Sequence, residues 1–79
     1  MALRAEFTIF PFLEGNDMPP HVQAGIDAAV ALGVPVEIGP LSNTILGEAA
    51  EVLEALHAAE AAAVAAGATR IVVSLEFAG

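Results

Sequence analysis

The sequence contains no cysteine, lysine, tryptophan or tyrosine, and its two arginines are its only strongly basic side chains. The absence of cysteine excludes disulfides, thiolate metal sites and cysteine nucleophiles. Ten carboxylates outnumber the two arginines and give a formal net charge of −8 at pH 7. This charge argues against binding to nucleic acid or to anionic membranes, because both need basic side chains. It is compatible with a cationic ligand.

Length and hydrophobicity define the class of protein. With 79 residues the chain is expected to form one domain, residues 1–79. Its hydrophobic content of 57% excludes a disordered chain. The longest apolar stretch, residues 49–68, is interrupted by Glu51, Glu54 and Glu60, which is unlike a membrane span. Arg4 and Glu6 interrupt the first apolar segment, so no apolar region typical of a signal peptide precedes a cleavage site. We therefore expect a cytoplasmic protein without membrane insertion.

Apolar periodicity divides the chain into four strands and two helices. Alternating apolar residues predict strands over residues 3–10, 34–38, 41–46 and 69–77. Helical spacing predicts one helix that starts at Pro20 and stops at Gly33 and another over residues 47–66, which Gly67 closes. Residues 14–17 have loop composition.

The element order β-α-β-β-α-β predicts an α+β, ferredoxin-like sandwich, in which two helices cover one face of a four-stranded antiparallel sheet. The first and third strands would be central, and Pro35 marks the second strand as an edge. The opposite face, which we call the open face, would carry no helix. Alternation assigns to it Arg4, Glu6, Thr8, Phe10, Glu37, Ser42, Thr44, Leu46, Val72, Ser74 and Glu76.

The open face mixes carboxylates, hydroxyls and apolar groups, so a partner chain or a ligand could cover it. A solvated face with cross-strand pairs such as Arg4–Glu76 is the plainer alternative.

Catalytic or metal chemistry has little support. His21 and His57 lie on different helices, without a third ligand at metal spacing, and both are expected at the surface. Serines without a histidine–aspartate partner do not indicate a nucleophile, so we predict that the protein is not an enzyme and needs no cofactor.

Several segments resemble the thiamine-binding, YkoF-like family, and together they cover nearly the whole chain. They are EFTIFP at 6–11, VPVEIGP at 34–40, SNTILGE at 42–48, EVL at 51–53 and GATRI at 67–71. Two positions depart from the family pattern. Asn43 stands where the family has threonine, and Leu46 stands where many members have a charged residue before the glycine.

The resemblance implies a ferredoxin-like protein that forms homodimers or homotetramers through its sheets. It also implies binding of thiamine or its hydroxymethylpyrimidine half, in uptake or salvage rather than in catalysis. Thiamine joins a cationic thiazolium to an aminopyrimidine, so its site needs contact area, a carboxylate and small hydrogen-bonding groups. On that basis Phe10 and Leu46 would supply contact area, and Glu6 or Glu37 would meet the positive charge. Ser42, Asn43 and Thr44 would bond the aminopyrimidine, and Thr8 completes the predicted ligand-binding set.

Two other classes of function remain open at this point. In the first, the chain is an oligomerising interaction or regulatory module whose open face only joins protomers. In the second, it is an enzyme on the same scaffold, which would need a perturbed titratable pair in a cleft. Taken singly, Thr8 and Thr44 are ordinary strand residues, and Phe10 is more often a packing residue than a ligand contact. The second strand is a possible edge for continuation of the sheet into another copy.

Overall fold

The computed structural model describes residues 1–11 and 18–78, and the loop expected at 14–17 lies outside them. The elements are β1 (Ala2–Phe10), α1 (Pro20–Ala31), β2 (Val36–Ile38), β3 (Asn43–Glu48), α2 (Ala49–Ala65) and β4 (Arg70–Ala78). The strands form one sheet in the order β2-β3-β1-β4, and every neighbouring pair is antiparallel. This arrangement confirms the predicted α+β, ferredoxin-like fold with β1 and β3 at the centre.

One face of β1 forms the centre of the hydrophobic core. Its alternating residues Leu3, Ala5, Phe7 and Ile9 are at most 1% exposed. The helices pack over this face against β1, β2 and β3. They contribute the buried residues Val22, Ile26 and Ala29 from α1 and Val52, Ala55, Leu56, Ala59 and Ala63 from α2.

The two helices approach each other closely where their side chains are smallest. A Cβ added to Gly25 of α1 would lie 3.2 Å from the carbonyl oxygen of Ala59 on α2. Each helix buries a narrower stripe of side chains than its apolar spacing predicts. Helical spacing also predicts burial of Val30, Leu53 and Val64, which are instead exposed to 51%, 43% and 61%. The periodicity was right about the presence of a buried stripe but wrong about its width.

The boundaries of β2 and β3 differ from the predicted ones. Val34 is buried in the core, but the strand begins only at Val36, after Pro35, which cannot donate a hydrogen bond to a ladder. Residues 39–42 form a turn closed by a 2.9 Å hydrogen bond from the Gly39 amide to the Ser42 carbonyl oxygen. β3 therefore starts at Asn43, and it continues to Glu48 because Ala2 and Leu3 of β1 pair with its last residues.

The helix side of β4 is covered along only part of its length. Ile71 and Val73 are half-buried against the core. Leu75 and Phe77 lie on the same side of the strand but are 41% and 55% exposed. The helices lie on one face of the sheet as predicted, and they cover the second half of β4 less completely than the rest of that face.

His21 was expected at the surface and is instead 9% exposed. Its Nε2 atom lies 2.6 Å from the carbonyl oxygen of Pro11. Because a carbonyl oxygen only accepts hydrogen bonds, the imidazole ring donates this one through Nε2–H. His21 therefore ties the start of α1 to the end of β1 and is committed to a structural contact.

Gly33 follows α1 with a φ of 83°, and nothing lies within 4 Å of a Cβ added there. We predict that Gly33→Ala lowers the free energy of unfolding by about 1–2 kcal/mol, through backbone strain alone. Urea unfolding at a fixed protein concentration measures this change. Leu32→Ala, at an exposed neighbour with a φ of −85°, should alter stability by less than about 0.5 kcal/mol. Equal losses in the two variants would contradict the explanation.

Candidate functional site

Strand register places most of the predicted ligand-binding residues on the open face. Glu6 of β1 lies between Thr44 of β3 and Ser74 of β4, and Thr44 in turn pairs with Glu37 of β2. One row of carboxylate and hydroxyl side chains, Glu37–Thr44–Glu6–Ser74, therefore crosses all four strands. Leu46, Arg4 and Glu76 form the adjacent row.

Asn43 is separated from the other predicted site residues. It pairs with Phe7 of β1 and with Ile38 of β2, so it belongs to the helix side of the sheet. It is 6% exposed. In an antiparallel ladder, side chains directly opposite each other share a face, so the buried position of Phe7 determines that of Asn43. Ser42 and Thr44, its two neighbours in the chain, are half-buried.

A cleft of about 450 Å3 opens on the β2 side of the open face. It is lined by Arg4, Pro35, Val36, Glu37, Thr44 and Leu46. Its size falls within the usual range for small-molecule sites. Glu37, Thr44 and Leu46 come from the predicted set. The sequence assigned Arg4 to the open face but not to the site. Arg4 lies directly opposite Leu46 in the strand register, and this pairing could have indicated that Arg4 also lines the cleft.

Phe10 lies at the other end of β1 from this cleft. It is six residues beyond Arg4, which corresponds to about 20 Å along an extended strand. The guanidinium carbon of Arg70 lies 5.0 Å from the centroid of the Phe10 ring. Phe10 and Leu46, predicted to give contact area to one ligand, are therefore not brought together within one chain.

Two side-chain contacts link residues of the open face to their neighbours. The Arg4 guanidinium pairs with the Glu6 carboxylate at 2.6 Å, although Glu76 is the residue opposite Arg4 on the neighbouring strand. The Thr8 hydroxyl donates a 3.2 Å hydrogen bond to the carbonyl oxygen of Leu41, in the β2–β3 turn. Because Glu6 offsets the charge of Arg4, Glu37 is the carboxylate in the cleft whose charge an incoming cation would meet.

Residues 1–11 and 18–78 contain neither a metal-binding cluster nor a membrane-spanning helix. No cluster of three or more histidine, aspartate or glutamate side chains there is arranged to hold a metal ion. In the same part of the chain, no helix has the length and hydrophobicity needed to cross a membrane.

The fold and the cleft define the class: a small ferredoxin-like α+β domain whose helix-free sheet face carries a cleft lined by a carboxylate, a hydroxyl and an arginine. A family model described as thiamine-binding protein matches residues 5–78. The chain therefore belongs to the thiamine-binding protein family. A search of curated proteins finds no match.

Solved structures share the fold over nearly the whole chain. A domain of unknown function, DUF77, from Bacillus cereus is 27% identical, with a TM-score of 0.70 over 95% of this chain and 72% of that one. A hypothetical protein from Methanocaldococcus jannascii is 24% identical, with a TM-score of 0.68 over 95% and 76%. A Thermotoga maritima protein, for which a role in thiamine biosynthesis or salvage has been proposed, is 20% identical, with a TM-score of 0.67 over 96% and 81%.

The exposed Arg4–Glu6 pair should contribute little to stability. Both side chains are substantially exposed, at 47% and 37%, and ion pairs of this kind contribute about 0–1 kcal/mol. We predict that Glu6→Gln changes the free energy of unfolding by less than about 1 kcal/mol, as measured by urea denaturation. A loss above about 2 kcal/mol would mean that Glu6 has a structural role. The expected result makes this variant suitable for binding studies.

Proposed function

We propose that this protein binds thiamine or its hydroxymethylpyrimidine moiety in the open-face cleft, as a non-catalytic cytoplasmic binding protein of thiamine uptake or salvage. The observation that carries the proposal is the position of Glu37 and Thr44 together in a cleft, in a chain of the thiamine-binding family. The alternation of side chains along β2 and β3 brings both of them to the face that the helices leave free.

The lining of the cleft matches the chemistry of this ligand. The exposed carboxylate of Glu37 suits the cationic thiazolium ring. The hydroxyl of Thr44 can both donate and accept, as the amino group and ring nitrogens of the aminopyrimidine require. Pro35 and Leu46 provide apolar walls. Ion pairing, hydrogen bonding and apolar contact are all binding roles, which supports a binding protein rather than an enzyme.

The histidines support the same conclusion. His21 lies on α1 and His57 on α2, and both helices pack on the face of the sheet opposite the cleft. Neither imidazole is therefore placed to activate the Thr44 hydroxyl as a nucleophile, since a general base must lie within hydrogen-bond reach of the proton that it removes.

The remainder of the open face favours a site near an interface between copies of the chain. Phe10 and Val72 lie beyond the cleft, and Val72 is 44% exposed. We propose that the protein is a homodimer or homotetramer and that the predicted residues Thr8, Phe10 and Ser42 lie on the interface side of the site. Glu6 lies between the two regions.

A second candidate function is an oligomerising module without a small-molecule ligand. The observation that favours it is the exposure of apolar residues on the open face, with Leu46 64% exposed beside the cleft. In that case another copy of the chain would cover the cleft, and no ligand could enter it. The two functions differ in whether a small molecule binds to the assembled protein.

Calorimetric titration with thiamine, thiamine phosphates and hydroxymethylpyrimidine tests the proposal. We expect thiamine to bind, and Glu37→Gln to weaken its binding by about 10- to 100-fold, as for the loss of a charge-assisted contact. Binding of the uncharged hydroxymethylpyrimidine should change by less than about threefold if Glu37 meets the thiazolium. Thr44→Val should weaken both ligands, because it removes the hydroxyl but keeps the shape of the side chain.

The matched control is Glu54→Gln, which removes the same charge from an exposed position on α2, away from the open face. It should leave both affinities within about twofold of the original protein, since only long-range electrostatics change. If none of the three ligands releases or absorbs heat and the protein is oligomeric, the second candidate function replaces the first. Equal weakening by Glu37→Gln and Glu54→Gln would move the site away from the cleft.

A further inference from the structure

One of the two arginines of this acidic chain lines the open-face cleft. The sequence has no lysine, and its two arginines stand against ten carboxylates. Arg4 lines the cleft, whereas the guanidinium carbon of Arg70 lies 5.0 Å from the centroid of the Phe10 ring, at the other end of β1. A cleft that bound only a cation would gain nothing from a guanidinium, since like charges repel. The position of Arg4 therefore indicates a second, anionic group on the ligand.

The charged end of Arg4 is directed along β1 rather than across to β4. Its Nη1 atom lies 2.6 Å from Oε1 of Glu6, although Glu76 is the residue opposite Arg4 on β4. Glu6 belongs to the row that also contains Thr44 and Glu37. The guanidinium is therefore held on the side where the cleft has its hydroxyl and its carboxylate.

The ion pair leaves the guanidinium able to bind a second oxyanion. The contact with Glu6 is made through one nitrogen, and a guanidinium has five N–H donors in a planar fork. Within residues 1–11 and 18–78, Glu6 is the only carboxylate that pairs with Arg4. The Arg4 side chain is 47% exposed, so an incoming anion reaches it without displacing buried groups. A phosphate, with three acceptor oxygens and a charge of about −1.5 to −2 at pH 7, matches these donors.

The opposite charges of Glu37 and Arg4 are spaced for a ligand that carries both a cation and an anion. The two residues lie two strand spacings apart, with an offset of two residues along the strands. These offsets place their Cα atoms about 12 Å apart. Both side chains line the same cleft, so they can contact different ends of one ligand. The phosphate ester of thiamine has the matching pattern, since a short hydroxyethyl arm joins its phosphate to the cationic thiazolium ring.

We propose that the cleft prefers the phosphate ester of thiamine to thiamine itself, and that Arg4 is the residue that determines this specificity. The proposal rests on the proposed function for the site and names the form of the ligand that the site selects. Glu37 meets the thiazolium ring, and the Arg4 guanidinium meets the phosphate. Glu6 reduces the preference, because its carboxylate competes with the phosphate for the guanidinium and repels it.

Calorimetric titration with thiamine and with thiamine monophosphate, at the same pH and ionic strength, tests the preference. We expect the monophosphate to bind about tenfold more tightly, as for one additional charge-assisted contact. Arg4→Gln should abolish this preference and should change the affinity for thiamine by less than about threefold. Arg4→Lys should retain part of the preference, because it keeps the charge but loses the planar fork.

Glu6→Gln should act in the opposite direction on the two ligands. It removes the competing carboxylate, so the affinity for thiamine monophosphate should rise by about threefold or more. The affinity for thiamine should stay the same or fall, because the charge of Arg4 is no longer offset. A role of the ion pair in stability alone would move both affinities in the same direction, and such a result would contradict the proposal.

The matched control is Arg70→Gln, which removes the same charge from the other arginine, outside the cleft. It should leave the ratio of the two affinities within about twofold of the original ratio, since only long-range electrostatics change. Equal loss of the preference in Arg4→Gln and Arg70→Gln would mean that the net charge of the protein determines it. That result would overturn the role of Arg4.

The outcomes separate this inference from the proposed function. Equal binding of thiamine and its monophosphate, with a ratio that Arg4→Gln does not alter, would reject the phosphate preference and keep the thiamine site. Binding of neither ligand would reject both proposals. Equal weakening of both ligands by Arg4→Gln, with unchanged urea unfolding, would make Arg4 a general part of the cleft wall and would overturn its role in specificity.

Discussion

The alternation of side chains along β1 is the constraint on which the rest of the structure depends. β1 is paired on both sides, with β3 from Ala2 to Phe7 and with β4 along its whole length. Its odd-numbered residues from Leu3 to Ile9 are buried beneath the helices. Because successive side chains point to opposite faces, the even-numbered residues must then project onto the open face. A shift of one residue would bury Arg4 and Glu6 and expose Phe7, so the core and the candidate site specify the same register.

The sheet also separates charge within the molecule. Both arginines lie on its strands, while the helices have carboxylates and no arginine or lysine. Within the cleft the Arg4–Glu6 pair leaves the Glu37 carboxylate as the charge available to a cation. The same separation makes the helical surface repulsive toward another copy of the chain.

The helices cover β4 less completely than the two central strands. The helices pack mainly against β1, β2 and β3, and α1 approaches α2 closely at Gly25. The second half of β4 extends past them, so Leu75 and Phe77 stay exposed although they continue the apolar face of the strand. The cleft lies toward the opposite edge, beside β2.

The sequence by itself determined the order and type of all six elements, the central position of β1 and the identity of the open face. It could do so because period-2 and helical apolar patterns are local, and because the crossover rules leave few topologies for this order. Thr8, Glu37 and Thr44 were placed on the open face for the same reason.

Only the tertiary structure decided the position of Asn43, because the start of β3 depends on which β1 residues it meets. It also decided that Leu53 and Val64 stay exposed, that His21 is buried against Pro11, and that Phe10 lies far from Leu46. These features depend on how the helices approach each other and on which strand residues become partners. Both are long-range contacts, which no local pattern along the chain encodes.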